Sequence, residues 1–211
     1  MKALSKVVEL CEGGLRAPFA ITFQEEGHQY QIDGESVPSV TQVVDQLQDW
    51  RGMNELSLER AAARGIIIHK ACELYTRGVL DWSTVDDSIL PEVRTYAEWF
   101  DASRFKPLLV EEMVGSKQFR FAGRLDLFGI WKTGLAIIDW KTGAEYPAYR
   151  FQTAGLEIAL KEMLPVAFKV ERYCLYLKGE KARPVRHNDP RDRSRFLAAL
   201  TCSHTRRELY P

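Results

Sequence analysis

Alternation of apolar and polar residues marks the β-strands that this sequence predicts. Residues 20–40 alternate around Gly27 and the turn IDGE, which is typical of a β-hairpin. Apolar runs of strand length predict four more strands, at 108–115, 119–131, 135–143 and 168–178. Most of the predicted sheet therefore lies in the second half of the chain.

Helical spacing of apolar residues predicts helices before, between and after these strands. In residues 89–105, for example, Val93, Tyr96, Ala97 and Phe100 fall on one helical face. The predicted helices cover residues 41–50, with Ser39 or Thr41 as N-cap, 54–78, 89–105, 149–164 and 191–209. This arrangement favours a central mixed β-sheet flanked by helices, in the α/β or α+β class.

Length and composition are those of one ordinary globular domain. The chain has 211 residues, of which 45% are apolar and 27% are charged. We expect a single domain over 1–211, with a hairpin and helices at about 20–105, a core at about 106–178 and a basic C-terminal helix at about 179–211. No apolar run is long enough to span a bilayer, and the first residues lack a secretory signal pattern. We therefore expect a cytoplasmic protein without a membrane partner.

The cysteine pattern also indicates a reducing compartment such as the cytoplasm. Cys11, Cys72, Cys174 and Cys202 are scattered along the chain and form no CxxC pair. This pattern favours free thiols in a reducing compartment over a disulfide framework or a zinc or iron–sulfur site.

Charge is unevenly distributed, although the net charge is zero. Residues 1–177 contain 20 basic and 25 acidic residues, whereas residues 178–207 contain nine basic and three acidic residues. A basic segment of this kind can follow a phosphate backbone or can be a solvated surface. The sequence leaves both interpretations open.

Two aspartates interrupt apolar, strand-like runs, Asp126 within AGRLDLFG and Asp139 within LAIIDWKTG. A half-buried carboxylate is costly unless it is paired or binds a metal. A hairpin centred on Lys132 and Thr133 pairs residues whose numbers sum to 265, which sets Asp126 opposite Asp139 within a residue or so. A divalent cation such as Mg²⁺ or Mn²⁺ would relieve the repulsion between them. Lys141 shares a face with Asp139, so an Asp–Lys ion pair on a solvated face is the alternative.

The same residues resemble a known family. GRLD at 123–126 and DWKTG at 139–143 resemble the core of the PD-(D/E)XK nuclease superfamily, and most closely its RecB-like branch, which includes phage-encoded nucleases. The resemblance implies a restriction-endonuclease-like core. In that core Asp126 and Asp139 would bind the catalytic metal, and Lys141 would support the attacking water.

Flanking motifs extend the resemblance over about residues 27–160. Gly65 and His69 match the GxxxH helix of this branch, which implies His69 as a third metal ligand. Glu73, one helical turn later, is expected to orient the imidazole, although a local His–Glu pair on the helix surface would look the same in sequence. Glu111 matches the acidic residue that precedes the first aspartate and is expected to support the site.

Further residues are expected to contact the DNA or to support the catalytic lysine. Gln152 matches the QxxxY helix of the branch, where the glutamine can hold a phosphate or the lysine, but Leu156 replaces the usual tyrosine. Ser39 and Thr41 would bind a phosphate at a helix N-terminus, or serve as ordinary N-caps. The expected DNA contacts are Ser39, Thr41, Arg124 and Tyr149.

These features predict a Mg²⁺- or Mn²⁺-dependent DNA nuclease. An exonuclease that processes DNA ends in repair, recombination or phage replication, with a recombination or replication protein as partner, is the preferred interpretation. No iron–sulfur cluster is expected, because the C-terminal cysteine run that holds it in some branch members is missing. Two alternatives are a non-catalytic DNA-binding recombination partner with the same fold and a restriction-type endonuclease. The presence of His69, both aspartates, Lys141 and Gln152 favours an enzyme.

Overall fold

Helices pack around two β-sheets in this chain, which gives it an α+β fold. The computed structural model describes residues 2–48 and 54–210. Its helices are α1 (Lys2–Cys11), α2 (Val40–Asp45), α3 (Glu55–Thr76), α4 (Leu90–Ser103), α5 (Tyr149–Met163) and α6 (Arg191–Leu209). Its strands are β1 (Ile21–Gln24), β2 (Gln29–Ile32), β3 (Glu35–Val37), β4 (Lys106–Ser116), β5 (Phe121–Trp131), β6 (Gly134–Lys141), β7 (Val170–Tyr176) and β8 (Arg183–Arg186). The predicted class, a mixed sheet flanked by helices, is confirmed.

The hairpin predicted near the N-terminus is present and is extended by a third strand. β1, β2 and β3 form an antiparallel sheet in that order. Asp33 and Gly34, at the centre of the IDGE turn, have φ of 50° and 84°, as two-residue hairpin turns require. A bridge between Ser39 and Ala122 attaches this small sheet to β5.

The larger sheet has the strand order β4-β5-β6-β7-β8. β6 and β7 are parallel and are connected through α5, whereas the other neighbours are antiparallel. One face packs against α1, α2, α5 and α6, where Phe121, Phe128 and Phe196 are fully buried. The other face packs against α3 and α4, where Tyr96 and Trp140 are fully buried. Side chains from two helical layers can therefore reach the sheet.

A buried ion network joins α5, β7 and α6. The Arg172 side chain lies 3.2 Å from Glu157 Oε2 and 3.2 Å from Asp192 Oδ2, and all three side chains are buried. Arg150 also pairs with Asp192, and Lys161 and Arg193 also pair with Glu157, so each buried carboxylate has more than one cationic partner. Within the basic segment 178–207, four arginines also form ion pairs inside the chain: Arg183, Arg186, Arg191 and Arg193. Part of the positive charge of this segment is therefore neutralised within the molecule.

Some elements differ from the sequence prediction. α1 was not predicted, although Leu4, Val7 and Cys11 have helical spacing and pack in the core. β8 was not predicted either, because its four residues are mostly exposed and carry no apolar alternation. The helix predicted at 41–50 begins one residue earlier and ends at Asp45, and residues 49 and 50 lie outside the described residues. Its N-cap is Ser39, one of the two predicted caps.

Two further expectations concern the thiols and the membrane. All four cysteines are free thiols, and three of them are buried. Among the helices of residues 2–48 and 54–210, none has the length and apolar content that crossing a bilayer requires.

Gly155 is a packing position that can be tested. A Cβ atom built on Gly155 in α5 would come within 2.6 Å of the buried Phe196 ring of α6. We predict that Gly155→Ala lowers the free energy of unfolding by about 1–3 kcal/mol, despite the higher helix propensity of alanine. Gly134→Ala, where a Cβ meets nothing within 4 Å, is the matched control in urea unfolding. Equal stability of the two variants would contradict this packing.

Candidate metal centre

The regular alternation of side chains in β5 breaks at Asp126. Leu125 and Leu127 are buried in cores on opposite faces of the sheet, although strand residues two apart normally share a face. On β4, Glu111 adopts a left-handed backbone conformation with φ of 52°, which few non-glycine residues do. Glu111 lies between the residues of β4 that pair with Leu125 and Leu127. The two irregular positions therefore lie opposite each other.

The β5–β6 ladder also ends at this point. Its pairs have residue numbers that sum to 265, as predicted, and run through the hairpin as far as Leu127 opposite Ile138. Asp126 and Asp139 would form the next pair. Instead, Asp126 Oδ2 accepts a hydrogen bond from the backbone N–H of Trp140 at 2.6 Å. A side chain thus satisfies a backbone donor where the two strands part.

Three ligand-type side chains meet at this opening. His69 from α3, Glu111 from β4 and Asp126 from β5 each contribute one ligand atom, and these atoms all lie within 4.8 Å of one another. His69 Nδ1 lies 3.5 Å from Asp126 Oδ1 and 4.0 Å from Glu111 Oε1. The imidazole packs edge-on against the Trp140 ring, with centroids 5.4 Å apart. These contacts fix the orientation of His69 in the cluster.

The electrostatics of the cluster favour a bound cation. Burial and the Asp126 charge raise the pKa of Glu111 to about 8. Burial disfavours the imidazolium form of His69, but the Asp126 and Glu111 carboxylates outweigh burial and raise its pKa. Glu111 Oε1 is buried without a hydrogen-bond partner. Two carboxylates, one of which has an unpartnered oxygen, and an imidazole fit a divalent cation, which would displace the protons that they hold.

Asp139 and Lys141 lie beside this cluster, on the face of β6 that α5 covers. Lys141 Nζ lies 2.6 Å from Asp139 Oδ2 and donates to Gln152 Oε1 at 2.9 Å. Burial raises the pKa of Asp139, which the Lys141 charge opposes and the Asp126 charge reinforces. Gln152 therefore holds the lysine, one of the two roles expected of it. Asp139 is outside the set of atoms within 4.8 Å, so its role as a metal ligand stays a prediction.

The structure does not bring Glu73 to His69, and this expectation is corrected. The Glu73 oxygens instead form ion pairs with Lys70 at 2.7 Å and Arg77 at 3.0 Å. Both cations belong to the same helical surface, at i−3 and i+4, and satisfy the carboxylate locally. Glu111, which was expected only to support the site, lies against His69 together with Asp126.

The four expected DNA contacts differ in accessibility. Ser39 is 1% exposed, and its hydroxyl accepts the backbone N–H of Gln42 at 3.0 Å. Ser39 is therefore a buried N-cap, which corrects its assignment as a DNA contact. Thr41 is exposed, Arg124 is 40% exposed and lies 4.0 Å from Glu111, and Tyr149 is half-buried.

Cys174 is a neighbour of the centre that sequence patterns missed. Its Sγ lies 3.7 Å from Asp139 Oδ2, and the two residues are partners in the parallel β6–β7 ladder. The register of two parallel strands joined through a helix cannot be read from local spacing. The sequence therefore carried no signal that would place this thiol beside Asp139.

The raised pKa values predict how stability depends on pH without metal. The ordinary pKa of a glutamate is 4.5, whereas that of folded Glu111 is about 8. Between these two pH values, folded Glu111 keeps a proton that the unfolded chain releases. His69 also binds its proton more tightly when folded. Stability must therefore fall as pH rises through this window. We predict a decrease in the free energy of unfolding of about 1–3 kcal/mol from about pH 5 to pH 8 in EDTA.

Comparison of two variants isolates this contribution. Glu111→Gln removes the carboxyl group and should flatten the pH dependence measured by urea unfolding. Glu73→Gln is the control, because its ion pairs lower the pKa of Glu73, against the effect of burial. A slope in Glu111→Gln equal to that of the wild type would show that Glu111 does not hold the extra proton.

No family model matches the chain, and no curated protein matches it. A solved structure titled "Crystal structure of SSO0001" is similar over 79% of this chain and 83% of that chain, with 14% sequence identity and a TM-score of 0.38. A likeness this weak carries no functional conclusion. The function proposed below depends on the geometry of the centre and on the sequence motifs that form it.

Proposed function

We propose that the protein is a divalent-metal-dependent nuclease that hydrolyses phosphodiester bonds in DNA. The observation that carries the proposal is the convergence of His69, Glu111 and Asp126 beside a lysine that Asp139 binds. Such a set suits phosphodiester hydrolysis, because negative charge develops on the phosphate oxygens as the bond breaks. The likeness of the GRLD and DWK motifs to PD-(D/E)XK nucleases supports the same reaction.

The metal would be held by His69, Glu111 and Asp126, with Asp139 as a further candidate ligand. Mg²⁺ and Mn²⁺ both accept carboxylate oxygens, and Mn²⁺ accepts an imidazole nitrogen more readily. When bound, the cation would neutralise negative charge on the substrate phosphate. Without the cation, the Asp126 carboxylate would repel that phosphate. Metal binding and DNA binding are therefore expected to be coupled.

Lys141 would orient a water molecule at the phosphate. Its Nζ contacts Asp139 and Gln152 and lies 4.2 Å from the centroid of the Tyr149 ring. Burial disfavours the ammonium form, but the Asp139 charge outweighs burial and raises the pKa of Lys141. A lysine that stays charged at neutral pH donates hydrogen bonds and stabilises anionic oxygen. It cannot serve as a general base.

The proposed substrate is a DNA end. Arg124 is partly exposed beside Glu111, and Arg195, Arg206 and Arg207 of α6 are exposed. These cations are available to a phosphate backbone. We propose an exonuclease of repair, recombination or phage replication that works in the cytoplasm with a recombination or replication protein, where its free thiols would stay reduced.

Metal-dependent cleavage is the first test. The wild type should degrade labelled DNA in Mg²⁺ or Mn²⁺ and lose this activity in EDTA. Asp126→Asn keeps an oxygen for the Trp140 N–H but loses the ligand charge, so the cleavage rate should fall by about a thousandfold or more.

Asp101→Asn is the matched control, because Asp101 is exposed and accepts a hydrogen bond from Tyr75. Its cleavage rate should equal that of the wild type. If Asp126→Asn cuts DNA as fast as this control, Asp126 holds no catalytic metal.

Lys141→Ala separates binding from the chemical step. Because the lysine acts mainly on charge that develops in the transition state, kcat should fall by about a hundredfold or more with little change in metal affinity. Single-turnover cleavage and metal titration measure the two quantities. Lys161→Ala, which removes a lysine paired with Glu157 elsewhere on α5, is the control. Full activity of Lys141→Ala would reduce Lys141 to an ion-pair partner of Asp139.

A further inference from the structure

An aromatic cluster lies on the small sheet. Phe23 of β1 and Tyr30 of β2 are cross-strand partners, with ring centroids 4.7 Å apart. His28 sets its ring nearly perpendicular to Phe23, with centroids 4.9 Å apart. Tyr30 is buried, whereas Phe23 is half-buried and His28 is exposed. We call Phe23, His28 and Tyr30 the aromatic platform.

The backbone holds the exposed ring of the platform in place. Gly27 and His28 are both left-handed, with φ of 75° and 49°, and the His28 N–H donates to the Glu25 carbonyl oxygen at 3.1 Å. A non-glycine residue in this conformation persists only where its surroundings favour it. The turn therefore presents His28 beside Phe23 as a fixed feature of the surface.

Arg124 connects the platform to the metal centre. Its guanidinium carbon lies 5.4 Å from the Phe23 ring centroid, and its Nη1 lies 4.0 Å from Glu111 Oε2. Arg124 also precedes Asp126 by two residues on β5. The platform therefore lies within about three stacked nucleotides of the centre, at about 3.4 Å of rise per nucleotide.

The charges around the platform favour a base over a phosphate as its ligand. Glu25 and Glu26, on the turn that carries His28, are exposed and would repel a phosphate backbone. An aromatic face needs no charge to bind a nucleobase, because every base has a π-face. Bases inside a duplex are stacked on both faces, so they offer no free face to a protein ring, whereas an unpaired base does.

We infer that the aromatic platform stacks an unpaired nucleobase of the DNA strand whose phosphodiester bond lies at the metal centre. Single-stranded DNA, or a single-stranded end, is then the substrate. The inference depends on the proposed nuclease function for the position of the strand. The exposed His28 ring and the half-buried Phe23 ring supply the aromatic surface, and Arg124, which lies over the Phe23 ring, leads from it to the metal centre.

The test measures binding in EDTA, so that no cleavage is needed. Fluorescence anisotropy gives the affinity of a labelled single-stranded oligonucleotide and of a series with one abasic position moved along the strand. Phe23→Leu keeps an apolar side chain on the sheet but removes the ring. It should weaken binding of the intact strand by about tenfold, the effect expected for one lost base–aromatic stack. Phe23→Tyr should restore the affinity.

The abasic series shows whether the lost contact is a stack. At one abasic position near the scissile bond, the wild type should bind the abasic strand about tenfold more weakly than the intact strand. Phe23→Leu should bind these two strands equally. The salt dependence of binding should not change in Phe23→Leu, because no phosphate contact is lost. Trp82→Leu removes an aromatic side chain, 42% exposed, from another surface and should bind like the wild type. Thermal unfolding confirms that each variant is folded.

The outcomes separate this inference from the nuclease proposal. If the wild type cleaves DNA in Mg²⁺ but Phe23→Leu binds every strand as the wild type does, the platform is overturned and the nuclease stands. If the abasic coupling appears although the wild type cleaves no DNA, the platform stands as a DNA-binding site and the nuclease falls. Equal loss of affinity for all abasic positions would also overturn the platform.

Discussion

The parting of β5 and β6 at Asp126 is the constraint on which the candidate centre depends. If the ladder continued, the Trp140 N–H would bond to the opposite strand and the Asp126 carboxylate would be confined to one face. Because Asp126 itself accepts that N–H, its other oxygen is free to meet His69 from α3. Asp139 and Lys141 face α5 at the same level of the sheet. Groups from both helical layers therefore converge where the sheet is open.

The centre raises the free energy of the metal-free chain. Glu111 has a left-handed backbone and a buried oxygen without a partner, beside the Asp126 charge. Each such feature typically costs about 1–3 kcal/mol. The cores on both faces of the sheet can sustain this cost, because they hold the strands in place independently of the centre. A cation that binds only the folded chain would stabilise it. The residues that destabilise the metal-free chain are therefore the same ones that would bind the catalytic metal.

Most strands and helices and the β5–β6 register were predictable, because periodicity and turn chemistry are local. The motifs also predicted that four site residues lie close together: Asp126, Asp139, Lys141 and Gln152. The sequence could not show the switch of side-chain direction at Asp126, since it arises from two strands together. For the same reason Glu111 was expected only in support, and Glu73 was wrongly assigned to His69. Spacing along a helix gives possible neighbours, but competing ion pairs decide between them.

Proton release on metal binding tests the account most directly. At pH 7 the folded chain holds protons on Glu111, whose pKa is about 8, and on a fraction of His69, and a cation that takes both as ligands must displace them. Calorimetric titration with Mn²⁺ in buffers of different ionisation enthalpy counts these protons. We predict saturable binding that releases about one to two protons per ion, and fewer in Glu111→Gln. Saturable binding without proton release, or the absence of saturable binding, would contradict a metal centre at these residues.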